Sequence, residues 1–156
     1  MKIGIISDTH GLLRPEAVER LAGVDHILHA GDIGDAAVIE GLRRIAAVTA
    51  IRGNVDRGPW AMAYPQTRHL ALGGRSIYLL HDLKALDVDP GAAGIDIVVS
   101  GHSHQPKIAT VGGVLYLNPG SAGPRRFSLP IALATLEVTG DTLRPHLHAL
   151  DPRAAP

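Results

Sequence analysis

Cysteine is absent from this 156-residue chain. That excludes disulfides and thiolate ligands, and leaves nitrogen and oxygen to hold any metal. Aromatic residues are scarce at 3%, so a core must be built from Val, Ile, Leu and Ala. Neither sign of charge prevails: 15 Lys and Arg balance 15 Asp and Glu, and the isoelectric point is about 7.1. The balance removes the global basic signal of a nucleic-acid binder and leaves no acidic tail; it is silent on local basic patches. No apolar run approaches the roughly 20 residues of a membrane span. The chain enters a strand at once, without a charged leader, an apolar h-region or a cleavage site, so the expected compartment is the cytoplasm. Repeats, linkers and low-complexity segments are missing too.

What is present is 46% apolar, over a length that suits one domain, residues 1–156, with a real core. Residues 2–7 read as a buried, Ile-rich strand. Residues 14–22 read as a helix, with Pro15 in its first turn and Gly23 to end it. Strands at 26–30 and 47–52 flank a second helix over 35–46, for which Asp35 is the N-cap and Arg43 and Arg44 complement the C-terminal end. Strand and helix in alternation predict right-handed crossovers and a parallel sheet. The second half reads as hairpins: 67–72 with 75–81 around Gly73-Gly74, 107–111 with 114–118 around Gly112-Gly113, and 130–138 with 142–149 around Thr139-Gly140-Asp141. A further buried strand falls at 95–100. Residues 82–94 have room for a short helix, limited by Pro90 and Gly91. Pro152 to Pro156 are expected to fray. The expected fold is α/β, a four-layer α/β/β/α sandwich of two mixed sheets with flanking helices.

Polar residues recur where these strands end. Asp8-Thr9-His10 follows Ile3-Gly4-Ile5-Ile6, and Gly31-Asp32, Gly53-Asn54, His81 and Gly101-His102-Ser103-His104 each follow another apolar run. In an open α/β sheet the carboxyl ends of the strands are where ligands bind. Taken singly, an Asp there is usually a cap, a buried His is usually a hydrogen-bonded core residue, and Gly-Asn is usually a turn. Taken together, Asp8, His10, Asp32, Asn54, His81, His102 and His104 point to a metal cluster. Two divalent cations about 3.5–4 Å apart can neutralise a phosphate ester and acidify a water. Asp, Asn and His suit Mn²⁺, with Fe²⁺, Zn²⁺ or Ni²⁺ as alternatives.

The ordered pieces Asp8-Thr9-His10, Gly31-Asp32, Gly53-Asn54, His81 and Gly101-His102-Ser103-His104 resemble the metallophosphoesterase (calcineurin-like) superfamily. Within it they resemble the small YfcE-like phosphodiesterases, as does Asn118-Pro119-Gly120-Ser121. The likeness covers roughly residues 1–150. It implies that Asp8, His10 and His104 hold one ion, that Asn54, His81 and His102 hold another, and that Asp32 bridges them. It also implies that a bridging water is the nucleophile and that Asn54 lies near the bound phosphate, so Asn54 and Asp32 are the residues expected to serve catalysis directly. Many relatives carry a His after that Asn as proton donor; this chain has Val55, as YfcE-like members lack the His too. General acid catalysis is typically worth 10²–10⁴-fold, so poor leaving groups should suffer.

Other residues carry two readings each. Asp56 either orients the Asn54 loop or is a turn residue. Asp82 either orients a ligand or is a solvated turn residue, the latter favoured. Arg52, Arg57, Arg125 and Arg126 either grip phosphate or lie on the surface. Trp60 and Tyr64 are expected to pack, and His26, His29, His69, His146 and His148 to be structural or surface residues. The expected activity is metal-dependent hydrolysis of a small phosphodiester. A phosphomonoesterase is the alternative; a protein-binding scaffold, a role the superfamily includes in a retromer subunit, is less favoured because all seven ligands are intact. Exposed edge strands allow a homodimer.

Overall fold

The computed structural model describes residues 1–126 and 128–150; the fraying expected of Pro152 to Pro156 falls outside them. The first half alternates strand and helix as expected: β1 (Lys2–Ile6), α1 (Pro15–Leu21), β2 (His26–His29), α2 (Ala36–Arg43) and β3 (Ala47–Ala50). The three strands run parallel, with Ile3 opposite His26 and His26 opposite Ala47. Pro15 starts α1, and the Asp35 carboxylate accepts the Ala37 N–H at 2.9 Å to start α2. β9 (Ala132–Thr139) returns antiparallel to β1, and β10 (Thr142–Ala149) lies outside it, giving the order β10-β9-β1-β2-β3.

The second sheet comes from the middle of the chain. It contains β4 (Thr67–Leu72), β5 (Arg75–Leu80), β6 (Ile97–Val99), β7 (Lys107–Val111) and β8 (Val114–Asn118), in the order β4-β5-β6-β8-β7. β5, β6 and β8 are parallel, and the other two pairings are antiparallel hairpins. At the β4–β5 turn Gly73 and Gly74 have φ of 60° and 79°, the left-handed pair that a tight two-residue hairpin requires.

Alternation along each strand sends one face to each layer. Ile3 and Ile5 join Leu28, Ile77, Leu79, Ile97 and Leu117 in the core between the sheets. Ile6 and Ile27 face the other way, against Leu21, Ile39 and Leu42 of the helices. Both helices lie on the first sheet, because consecutive right-handed crossovers in a 1-2-3 strand order return to the same face. On the outer face of the second sheet, Leu86 and Ile95 from the stretch between His81 and Asp96 pack with Val98, Val114 and Tyr116; that stretch holds one 3₁₀ turn, Leu83–Ala85. The sandwich thus has the expected layers, with the fourth reduced to a loop by Pro90 and Gly91. Several elements are shorter than expected. β3 ends at Ala50: the Ile51 N–H still reaches His29 O at 3.2 Å, but the Arg52 N–H turns away to Pro65 O at 2.9 Å. A 3₁₀ turn over Pro59–Ala63, unmarked in the sequence reading, seats Trp60 edge-on to Tyr64 against the helix-side core, so both aromatics pack as expected.

Ile5 is fully buried between the sheets, whereas Met62 is 62% exposed. Ile5→Ala is expected to lower stability by about 2–5 kcal/mol, and Met62→Ala by no more than about 0.5 kcal/mol. Urea denaturation of both variants checks the difference.

Candidate metal centre

The parallel strands bring their C-terminal ends to one end of the sandwich. Asp8 and His10 follow β1, Asp32 follows β2, Asn54 follows β3, His81 follows β5, and His102 and His104 follow β6. The donor atoms of Asp8, His10 and His104 lie within 4.8 Å of one another, and so do those of Asp32, His81 and His102. Asp32 touches both groups: its Oδ2 is 3.7 Å from His10 Nε2 and 3.2 Å from His81 Nε2. Asp8 Oδ1 is 3.3 Å from His104 Nε2 and 3.9 Å from His81 Nε2. The carboxylates and His104 are buried, while His102 and Asn54 are exposed. Asn54 stands beside Asp32 through its neighbours: the Val55 N–H donates to Asp32 Oδ1 at 3.1 Å.

The backbone at these positions is strained. Asp8, His10, Asp32, His102 and His104 have φ between 47° and 69°, and they are the only non-glycine residues with positive φ among the described residues. The left-handed conformation costs an L-residue roughly 1–2 kcal/mol, and it persists only where the surroundings over-determine it. Here the loops hold one another. Asp8 N–H donates to Gly31 O at 3.0 Å, His10 N–H to Asp32 O at 3.0 Å, and Gly101 N–H to His81 O at 2.9 Å. Two glycines permit the close approach. A Cβ on Gly101 would lie 2.6 Å from Asp8 Oδ2, and one on Gly53 would collide with Asp32.

The donor atoms are in a state that a cation would satisfy. Asp8 Oδ1, His10 Nε2 and His104 Nδ1 are buried and lack a hydrogen-bond partner among the described residues. His81 Nδ1 lies 2.7 Å from the Ala30 carbonyl. A carbonyl only accepts, so Nδ1 carries the proton and the Nε2 lone pair of the neutral ring faces Asp32. Two electron-rich atoms in that position need a proton or a cation between them. Burial disfavours the charged form of His81, but its hydrogen bond to Asp32 and the charge of Asp8 outweigh it and raise the pKa. Burial likewise works against ionised Asp32, yet contact with His81 and the Val55 N–H holds its pKa down at about 2. Ionised carboxylates, imidazole nitrogens and orphaned donors together fit divalent cations.

Residues behind the cluster fix it in place. Asp56 is 4% exposed and resolves its two readings in favour of orientation. Its carboxylate accepts the N–H groups of Ile33 at 3.0 Å, Gly34 at 2.9 Å and Gly53 at 2.8 Å, locking the second motif loop to the third. Asp82 does some of each: it caps the 3₁₀ turn through the Lys84 N–H at 3.0 Å, and it lies 3.8 Å from His102 Nε2. His29 is fully buried. Its Nδ1 accepts the Gly31 N–H at 3.1 Å, so its Nε2 donates to Thr9 Oγ1 at 3.0 Å, and that hydroxyl donates to Ile33 O at 2.9 Å. Arg52 is engaged elsewhere, donating to Tyr64 O at 2.6 Å, whereas Arg57, Arg125 and Arg126 are exposed. His26 and His148 bond Thr49 and Thr135, each at 2.8 Å, as structural residues.

Ser7 was not singled out in the sequence, and Asn118 and Ser121 were marked there only through a resemblance, without a role. Ser7 Oγ donates to Asp8 Oδ2 at 2.6 Å, and Ser121 Oγ to Asp8 O at 2.9 Å. The Asn118 amide donates to Gly101 O at 2.9 Å and to Ser103 Oγ at 3.1 Å. For Ser7 the only signal was its position beside a motif.

Asp56→Asn keeps the shape but removes the charge and one acceptor oxygen. It is expected to cost about 1–3 kcal/mol and to weaken metal affinity, read by urea denaturation and calorimetry. Burial, partly offset by the charges of Asp8 and Asp56, lowers the His29 pKa from 6.5 to about 4. The unfolded chain takes up a proton that the folded one refuses, so stability falls as pH drops from 6.5 to about 4. In metal-free protein His29→Gln is expected to make the fall shallower in that window; an unchanged slope contradicts the assignment.

Comparison with known proteins shows which sequences and folds the chain is similar to. The family model for the calcineurin-like phosphoesterase superfamily domain matches residues 1–141. The chain is 34% identical to a probable metallophosphoesterase of Methanothermobacter thermautotrophicus, over 92% of this chain and 89% of that protein. It is 26% identical to the phosphodiesterase YfcE of Escherichia coli, over 88% of each. Among solved structures, Vps29 of Chaetomium thermophilum shares the fold, with a TM-score of 0.78 at 19% identity over 95% of this chain and 96% of that one.

Proposed function

The chain belongs to the calcineurin-like phosphoesterase superfamily, and from that premise we propose that it is a phosphodiesterase with a dinuclear metal centre. The observation that carries this reading is the pair of donor triplets joined through Asp32, with buried donor atoms left unpaired. Asp8, His10 and His104 would hold one cation, and Asn54, His81 and His102 the other, with Asp32 shared between them. The nitrogen and oxygen donors favour Mn²⁺ and accept Fe²⁺, Zn²⁺ or Ni²⁺. When bound, the two cations neutralise phosphoryl charge and make a water acidic.

The protein groups do the rest. Asp56 and His29 keep the motif loops in register, so the donors are positioned before substrate arrives. Asn54 would offer its carbonyl oxygen to a metal and its amide N–H to a phosphoryl oxygen. Val55 is 46% exposed and supplies a backbone N–H to Asp32 but no side-chain proton. Leaving groups that depart without protonation are therefore preferred. A small phosphodiester with an acidic leaving alcohol meets that condition, and the relative YfcE is itself a phosphodiesterase. No helix among the described residues is long and apolar enough to cross a membrane.

Protein stripped of metal and resupplied with Mn²⁺ is expected to hydrolyse bis(4-nitrophenyl) phosphate faster than 4-nitrophenyl phosphate, and to stop in excess chelator. Asp32→Asn should lower kcat by at least about 10³-fold while leaving the circular dichroism spectrum unchanged. Turnover in chelator, or wild-type activity in Asp32→Asn, would sink the reading.

A further inference from the structure

A groove of about 950 Å³ opens beside the metal centre and runs over the outer face of the second sheet. Strand register builds it. On β7 and β8, Lys107 pairs with Asn118, Ala109 with Tyr116, and Val111 with Val114. These alternate residues share the outward face, while Leu115 and Leu117 turn into the core between the sheets. The thin fourth layer leaves this part of the face open: Val111 is 63% exposed, and Leu83 on the facing wall is 42% exposed. At its upper end the groove is lined by Gly101, His102, Ser103 and Asn118. His102 is also a donor of the metal cluster, so groove and centre form one continuous surface. From the level of Asn118 the floor extends about 13 Å to the level of Val114.

Chemistry changes along that length. Lys107 lies at the level of Asn118, and Lys84 stands on the opposite wall, which places positive charge near the end where a phosphoryl group would sit. Asp82, also on that wall, is 3.8 Å from His102 Nε2 and takes the Lys84 N–H. Beyond this end the floor is Ala109, Tyr116 and Val111. That surface provides an aromatic platform and methyl groups, with the Tyr116 hydroxyl as its one side-chain hydrogen-bonding group. A nucleobase laid there would leave most of its polar edge unpaired; an aryl ring would not.

We infer that this groove is the subsite for one ester group of the substrate, and that the group is apolar and planar. The phosphoryl group sits at the His102 end and the ring lies over Tyr116 and Ala109. The inference rests on the phosphodiesterase reading and adds the class of ester that the enzyme accepts.

Phosphonates, which are not hydrolysed, test it by binding alone. Calorimetry on the manganese-loaded protein should give a Kd for phenylphosphonate about tenfold below that for methylphosphonate, as burial of a ring requires. Tyr116→Ala and Ala109→Asp should each bring the two values within about twofold and leave methylphosphonate unchanged, which also shows that the variants are folded. Equal wild-type affinities overturn the subsite and leave the phosphodiesterase reading intact. So does an unchanged ratio in both variants. Should the variants lose methylphosphonate as well, the wild-type ratio alone decides. Binding of neither phosphonate, with no hydrolysis under any divalent metal, overturns both readings. A dimer in sedimentation that Val111→Asp dissociates gives the groove to a second copy and also overturns the proposal.

Discussion

Two buried carboxylates, Asp8 and Asp32, share one ring of imidazoles, and the end of the sandwich is organised around compensating their burial. Ionised carboxylates cannot stay buried without compensation. Part of it comes from the protein: Ser7 Oγ and the His102 N–H serve Asp8, and the Val55 N–H and His81 serve Asp32. The rest is a matter of position. The imidazoles gather with the carboxylates in two adjacent groups, and Asp8 Oδ1 and His10 Nε2 within them lack hydrogen-bond partners among the described residues. Five left-handed residues are the conformational cost of pointing so many side chains inward from loops. A fold that needed only stability would relax them. Their concentration at the donor positions links the local strain to cation binding.

Much of this was legible in the sequence because it is written in local pattern. Apolar runs ending in Asp, Asn or His marked the strand ends, and Gly-Gly pairs marked two of the hairpins. Pro15 and Asp35 marked the helix starts. The donor residues could be collected because each closes an apolar run, and their division between two ions was implied only by the family resemblance. What could not be read depends on contacts between distant segments. Asp56 looks like a turn residue until its carboxylate is seen to bridge Ile33, Gly34 and Gly53. Asn118 and Ser121 clamp Gly101 and Asp8 across long stretches of chain. Neither spacing nor periodicity records such bonds. Element ends were overextended for a related reason, since apolar character continues past Ala50 and Leu42 into residues that pack without being in strand or helix.

The same architecture accounts for how open the site is. The first sheet carries both helices, and the second carries only a loop interrupted by Pro90 and Gly91. Lacking a helix there, the face of β7 and β8 stays accessible up to the metal donors. On the opposite rim Val55 contributes its backbone and no proton. The groove supports the proposed subsite for an ester group, and the absence of a side-chain acid at Val55 supports the proposed preference for diesters with a good leaving alcohol.

The central claim is that the donors of five strand ends enclose two cations bridged by Asp32. Anomalous diffraction from crystals equilibrated with Mn²⁺ tests it directly. The account predicts two peaks about 3.5–4 Å apart, one among Asp8, His10 and His104, the other among Asn54, His81 and His102, with Asp32 between them. A single peak, or manganese bound away from Asp32, would contradict it.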